Sequence, residues 1–306
     1  GKTSLAHVRF NIALCNYKLG RREAAIDALE IIVEKALPEE RSVKVDALCS
    51  LSELKRVARD DGLHSSLPLL KSALALDSTH PLVFCQLANH YFHTGERPAA
   101  KALLQGVENN KDVGEKGVAE AKFQQGRLKH AEGLWQEAYT LYEHCVAHLP
   151  QHVGALFGLA QVTYELGDAD AALSLLERAK LVHGDNYDIR KFMAHLLMLQ
   201  PKRHRAARDN VDKLLAMNAN DADVHLMKAQ LCMQMGSKDE KAKALKHFEI
   251  YLEKTKDEII SPEVYNNSGT LSMFLGKFDE AEQHFKTAAA SILNLEQSVE
   301  TEAMAL

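Results

Sequence analysis

Residues 155–179, with the sequence ALFGLAQVTYELGDADAALSLLERA, place a small residue, an aromatic residue and a glycine at fixed spacing. Gly167 is followed by Ala172 five positions later and by Leu176 four positions after that. This order of glycine, small residue and large apolar or aromatic residue occurs five times along the chain. The five glycines are Gly20, Gly95, Gly133, Gly167 and Gly276, the small residues are Ala25, Ala100, Ala138, Ala172 and Ala281, and the large residues are Leu29, Leu104, Tyr142, Leu176 and Phe285.

The pattern predicts pairs of antiparallel helices joined by a tight turn. Glycine adopts the left-handed backbone conformation that such a turn requires. Small residues allow two helices to approach closely, and large residues four apart fill one face of the second helix. A period near 34 residues with this order is the tetratricopeptide pattern, in which successive helix pairs stack because one pair cannot bury its own apolar face.

Weaker copies of the pattern fill the remaining sequence, so we predict about eight helix-turn-helix units. The fold class is all-α, a right-handed superhelical solenoid, with residues 1–306 forming one continuous array. The units lie near residues 6–38, 43–78, 81–110, 119–150, 153–186, 187–219, 222–254 and 262–292. Pro68 is expected near the first turn of its helix, after a loop at residues 59–65, and residues 293–306 are expected to begin a ninth unit or to fray.

Composition excludes several classes of protein. Hydrophobic residues make up 46% of the chain and charged residues 26%, which is the balance of a globular chain and not of a disordered one. The net charge of −5 gives no general basic field, so we expect no direct sequence-specific binding to nucleic acid. Apolar segments are too short to span a membrane. The chain begins with Gly1 and is expected to be a piece of a longer protein.

No constellation of residues predicts a reaction. His144 and His148 stand four apart, and His90 and His93 three apart, but neither pair has further ligands at zinc spacing. The turn glycines occur one in each of the five clear repeats, and no glycine-rich phosphate-binding loop is present. The five cysteines are scattered singly, which favours buried thiols in a reducing compartment. We therefore expect no catalytic activity, no metal and no cofactor.

The first helix of each unit is predicted to line the concave groove of the solenoid. One residue per repeat follows the position where the two helices pack, and others share its face. The predicted groove residues are Phe10, Tyr17, Phe92, Phe123, Phe157, Tyr164, Met198, Met233 and Met273. Aromatic and methionine side chains suit a partner helix or an extended segment. The alternative is that some of them only seal neighbouring units.

Two charged features of the sequence are further candidates for partner contacts. A clamp for an acidic chain end needs Lys, Asn and Arg on successive first helices, and Asn89 is the one suitable residue, with no Lys or Arg expected in the right places. A basic run in the sixth unit could contact a polyanion or act as a nuclear-import signal, or could be a solvated turn. Its residues are Lys202, Arg203, Arg205 and Arg208.

Three segments resemble one family of tetratricopeptide proteins, the scaffold subunit of the RNA polymerase II-associated factor (PAF) complex. They are VRFNIALCNYKLG from Val8, LANHYF from Leu87, and SPEVYNN from Ser261. Their order and spacing agree with the family, and the resemblance spans the whole chain. It implies a nuclear, non-enzymatic scaffold that holds other PAF subunits, associates with RNA polymerase II indirectly, supports transcription elongation and couples it to histone modification.

The resemblance has limits along the chain. The family's first repeats, its later repeats and its charged C-terminal tail have no counterpart in these 306 residues, so no specific contact residue is transferred. Two other functions remain open from the residues themselves. One is a generic adaptor, of the kind that serves cell-cycle ubiquitin ligases or chaperones. The other is the repeat arm of an enzyme whose catalytic domain lies outside this sequence.

Overall fold

The structure, a computed structural model, describes residues 4–58, 62–110, 113–184, 186–234 and 237–304. These residues form sixteen α-helices and two short 3-10 helices, at Pro38–Glu40 and Pro201–Arg203. The α-helices are Leu5–Lys18 (α1), Arg22–Lys35 (α2), Arg41–Ala58 (α3), Gly62–Leu76 (α4), Pro81–His93 (α5), Arg97–Asn109 (α6), Glu115–Ala131 (α7), Trp135–His148 (α8), Val153–Glu165 (α9), Ala169–His183 (α10), Tyr187–Met198 (α11), His204–Met217 (α12), Ala222–Met233 (α13), Lys238–Lys254 (α14), Pro262–Phe274 (α15) and Phe278–Met304 (α16). The predicted helical repeat fold is confirmed.

The glycine turns have the geometry that the sequence predicts. At Gly167 the backbone is left-handed, with φ of 96°. The Gly167 amide donates to the carbonyl of Tyr164 at 2.9 Å, and the Asp168 amide donates to that of Thr163 at 3.1 Å. These two bonds satisfy the last carbonyls of the helix and reverse the chain within a few residues. The same pair of bonds closes the first helix at Gly20, Gly95, Gly133 and Gly276.

Small residues bring the helices of a pair together around large ones. Tyr142 on α8 is 2% exposed, and its ring fills the space beside Gly126 on α7 and Gly158 on α9. A Cβ atom at Gly126 would lie 2.8 Å from that ring, and one at Gly158 would lie 2.7 Å from it. The two glycines are therefore required by close approach, and the Tyr142 ring ties three helices into one packed layer.

The helices form two compact units, Gly1–Val182 (unit 1) and His183–Leu306 (unit 2). In unit 1 the first helices of successive pairs contact each other, α1 with α3, α3 with α5, α5 with α7, and α7 with α9. We call this row the first-helix layer. The second helix of each of the first four pairs contacts the first helix of the next, for example α8 with α9. In unit 2, α11 contacts α13. The two helices of each of the three pairs in unit 2 pack against each other.

The structure corrects three local expectations. Pro68 lies inside α4, which begins at Gly62 within the predicted loop, so the proline is not in the first turn. The last segment continues α16 to Met304 and starts no separate unit within the described residues. Cys15 is exposed, whereas Cys49, Cys85, Cys145 and Cys232 are buried as expected. Burial raises the pKa of the Cys49 and Cys145 thiols to about 12, which keeps them protonated.

Candidate partner-binding face

The first-helix layer of unit 1 carries a cavity of about 400 Å³. Three of the predicted groove residues line it, Phe92 at the end of α5, Phe123 on α7 and Phe157 on α9. Arg127 and His130 of α7 and Tyr142 of α8 complete most of the wall. An aromatic cavity with few polar groups is the usual form of a binding site for an apolar side chain.

Arg127 is the charged centre of this cavity. Its guanidinium carbon lies 4.5 Å from the centre of the Phe92 ring and 5.9 Å from that of Phe123. Nη1 donates to Asn89 Oδ1 and, at 3.0 Å, to Gln124 Oε1. Nη2 donates to His93 Nε2 at 3.2 Å. These contacts fix the guanidinium across α5 and α7 and hold it against the aromatic wall.

His93 links Arg127 to a second arginine. Arg56 Nη1 on α3 lies 3.5 Å from the same His93 Nε2 atom, and Arg56 is paired with Glu53 by bonds of 3.2 and 2.5 Å. Because an arginine can only donate, His93 Nε2 is an acceptor and the ring is neutral. Burial and the two guanidinium charges lower the pKa of His93, which agrees with that state.

Glu120 of α7 lies next to these polar residues, on the side that faces α9. The His152 ring caps α9 by accepting the Ala155 amide at Nδ1, 2.9 Å away, so its Nε2 carries the proton and donates to Glu120 Oε2 at 3.0 Å. Gln124 Nε2 also donates to Glu120, at 3.0 Å. Burial acts to raise the pKa of Glu120, but the hydrogen bonds from His152 and Gln124 leave it below its ordinary value. Glu120 is therefore an ionised carboxylate with its partners in place.

The other groove residues of unit 1 lie elsewhere. Tyr17 is half-exposed and lines a separate cavity of about 210 Å³ with Leu14, Leu29 and Gln86. Phe10 is partly buried against the apolar core around α1 and α2, which favours the sealing alternative for this residue. Tyr164 is half-buried near the end of α9.

The once-per-repeat positions share a backbone role that the sequence did not reveal. The carbonyls of Tyr17, Phe92 and Tyr164 accept the amide of the turn glycine three residues later. These side chains therefore stand at the last turn of each first helix. Phe123 and Phe157 lie inside α7 and α9, whereas Phe92 lies in the last turn of α5. The cavity therefore extends from the middle of α7 and α9 to the C-terminal end of α5.

In unit 2 the predicted groove residues are spread over three helices. Met198 and Met233 are half-buried at the ends of α11 and α13, and Met233 packs against the core around Phe248. Met273 is 51% exposed near the end of α15. No described cavity contains these three methionines together. Their partner-binding role stays a prediction.

The four residues of the basic run differ in exposure. Lys202 and Arg203 are exposed in the 3-10 helix, and Arg205 is exposed at the start of α12. Arg208 is half-buried and pairs with Glu240 of α14 through Nη2 at 3.1 Å. Arg208 thus joins two helices of unit 2, and contact of the run with a polyanion stays a prediction.

The structure places an arginine against Asn89. Arg127 donates directly to Asn89 Oδ1, although it stands 38 residues later in the chain. A signal for this contact was available, since His93 and Arg127 are separated by 34 residues, one repeat. Residues one period apart on first helices come side by side when the pairs stack. Arg127 is therefore a functional candidate that sequence reasoning left out, and Asn89 and His93 are the residues that hold its guanidinium.

The described residues meet the requirements neither of a metal site nor of a membrane-spanning helix. Among the residues it describes, no group of three or more His, Cys, Asp and Glu side chains could hold a metal ion. None of the described helices is both long and apolar enough to cross a membrane. The absence of metal, cofactor and catalysis stays a prediction.

Comparison with known proteins identifies the repeats and the relatives. Tetratricopeptide-repeat family profiles match residues 7–36, 129–196 and 262–291. RNA polymerase-associated protein CTR9 of Caenorhabditis elegans is 28% identical over 298 residues, covering 93% of this chain and 25% of that protein. Protein CTR9 homolog of Arabidopsis thaliana is 26% identical over 292 residues, covering 92% and 26%. The chain is homologous to both, which confirms the resemblance, and it spans about a quarter of their length.

A solved structure shares the fold at much lower identity. A monomeric mutant of IFIT1 with Gppp-AAAA aligns over 94% of this chain and 72% of its own with a TM-score of 0.61. Its sequence is 15% identical, so the likeness concerns the helical repeat fold alone.

Proposed function

We propose that this chain is the repeat array of a non-catalytic scaffold in a nuclear RNA polymerase II-associated complex of the PAF type. The observation that carries the proposal is homology to CTR9 proteins along more than nine tenths of the chain, since the worm protein is named as RNA polymerase-associated. In this role the chain holds other PAF subunits, and its link to the polymerase, to elongation and to histone modification passes through them.

The first-helix layer of unit 1 supplies a surface suited to that role. Helical repeat arrays bind partner segments along an extended surface rather than in a closed active site. The cavity around Phe92, Phe123 and Phe157 can accept an apolar side chain of a bound helix or strand. Tyr17 and Tyr164 extend the proposed surface within unit 1. Met198, Met233 and Met273 are proposed partner contacts on unit 2. Lys202, Arg203 and Arg205 are a second, independent contact.

Affinity purification of the full-length protein tests this function. We expect the tagged protein to be recovered from the nuclear fraction with RNA polymerase II and several PAF subunits. Phe92→Ala should weaken the affinity for the subunits about 30-fold and so reduce their recovery. An aromatic residue at the centre of an interface contributes about 2 kcal/mol.

The matched control is Phe278→Ala, since Phe278 in unit 2 is 68% exposed and lies outside the cavity. Phe92 is also partly buried against the core around Leu104, so the melting temperatures of both variants are measured. We expect each to lie close to that of the parent, in which case lost recovery reports on binding. Recovery from cytosol with chaperones or a ubiquitin ligase alone would contradict the proposal, and a catalytic domain in the full-length protein would favour an enzyme arm.

A further inference from the structure

Arg127 has hydrogen-bonding capacity that its present partners do not use. A guanidinium carries five N–H groups, and the bonds to Asn89, Gln124 and His93 occupy three of them. All three acceptors are neutral. Burial lowers the pKa of Arg127, with the charge of Arg56 acting in the same direction, yet arginine stays protonated in proteins. The cation thus lies in a partly dry site without a counter-ion in contact.

Several other cations of the described residues are paired with carboxylates. Arg56 bonds to Glu53, Lys191 bonds to Asp221 and Asp223, and Arg208 bonds to Glu240. Within the part of the chain that the structure describes, Arg127 forms no ion pair of this kind.

Two carboxylates lie near enough for their charges to act on Arg127, and neither is available to it. They belong to Glu53 and Glu120. The first is held by Arg56, and the second by His152 and Gln124. Both carboxylates therefore accept hydrogen bonds from residues other than Arg127. A carboxylate from another molecule could pair with the Arg127 cation.

We infer that Arg127 and the cavity beside it recognise an aspartate or glutamate side chain that stands next to an apolar residue in a partner segment. The carboxylate would accept the two unused N–H groups of Arg127. The neighbouring apolar side chain would enter the wall formed by Phe92, Phe123 and Phe157. A charge-assisted, paired hydrogen bond in a partly desolvated cavity gives both affinity and orientation.

The cavity distinguishes this ligand from a purely apolar one. Phe92 and Phe123 lie against the guanidinium itself, so an apolar group that covered both rings would also bury the Arg127 charge without a partner. An acidic residue removes that penalty. The inference rests on the proposed function, since it assumes that this face meets a protein partner.

Peptide selection tests the inference on the full 306-residue chain. The probe is a library of short random peptides displayed through their carboxyl ends on phage, so that only side-chain carboxylates are offered. At low ionic strength, parent protein should enrich Asp or Glu beside Leu, Ile, Met or Phe. The selected peptide, made synthetically, should bind Arg127→Gln at least about 30-fold more weakly, because losing one partner of a buried charge pair costs 2 kcal/mol or more.

Arg178→Gln is the matched control, because Arg178 is exposed on α10 away from the cavity, and it should bind the peptide as the parent does. Arg127→Lys keeps the charge but loses the paired donors, so it should fall between parent and Arg127→Gln. Added salt should weaken binding to the parent more than to Arg127→Gln. Peptides without acidic residues, or equal binding by Arg127→Gln, would overturn the inference.

The same variants separate this inference from the proposed function. If Phe92→Ala reduces recovery of PAF subunits while Arg127→Gln leaves recovery unchanged, the acidic ligand is wrong and the scaffold face stands. If both variants recover the subunits as the parent does, the face itself is wrong.

Discussion

Ala138→Arg is expected to lower the free energy of unfolding of unit 1 more than any other change considered. Ala138 lies on α8, five residues after the turn at Gly133, and no part of it is exposed. It sits on the helix that packs against α7, where the small residue allows close approach. Arginine there would bury an unpaired charge and force the helices apart, at a cost of about 4 kcal/mol or more. A typical domain has only about 5–15 kcal/mol of stability, so a loss of this size is a large fraction of the margin.

Thr140→Arg provides the control for this substitution. Thr140 lies on the same helix two residues later, is exposed, and bonds only to the Gln136 carbonyl of its own helix. The same side chain placed there should leave the free energy of unfolding within about 0.5 kcal/mol of the parent. Urea denaturation followed by circular dichroism measures both. Equal midpoints for Ala138→Arg and the parent would show that the repeat register is wrong.

Tyr142→Ala should be the next most destabilising change. The ring is almost wholly buried, and it fills the space that Gly126 and Gly158 leave between α7, α8 and α9. Removing a large core aromatic costs about 3–5 kcal/mol, because the cavity left behind closes only in part. The two glycines cannot fill it from the facing helices.

Tyr142→Phe separates packing from polar effects at this position. The hydroxyl has one contact, a long one of 3.4 Å to His130 Nδ1. Its loss should change the free energy of unfolding by about 1 kcal/mol at most. A melting temperature for Tyr142→Ala equal to that of Tyr142→Phe would contradict the packing described for these three helices.

The repeat fold could be predicted from the sequence because its signals are local. A glycine at a helix end, a small residue five positions on and a large one four positions after that each act within one helix pair. A local signal predicted the wrong start for α4. Pro68 suggested a helix start, but the helix begins at Gly62, six residues earlier, and accommodates the proline.

The candidate site could be predicted only in part, because it depends on contacts across repeats. The aromatic periodicity found Phe92, Phe123 and Phe157, which do line one cavity. It missed Arg127, since a search for charged residues on each helix separately does not show which of them meet. The bond from Arg127 to Asn89 arises only when α5 and α7 are stacked.

Hydroxyl-radical footprinting of the purified complex tests the central claim most directly, namely that the first-helix layer of unit 1 is the surface that holds protein partners. Oxidation of Phe92, Phe123 and Phe157 is compared between the chain alone and the chain bound to its co-purified subunits, with exposed Phe278 as the internal reference. We predict that oxidation of the three cavity residues falls in the complex while that of Phe278 does not. Unchanged oxidation of all three in a complex that contains the subunits would contradict the account.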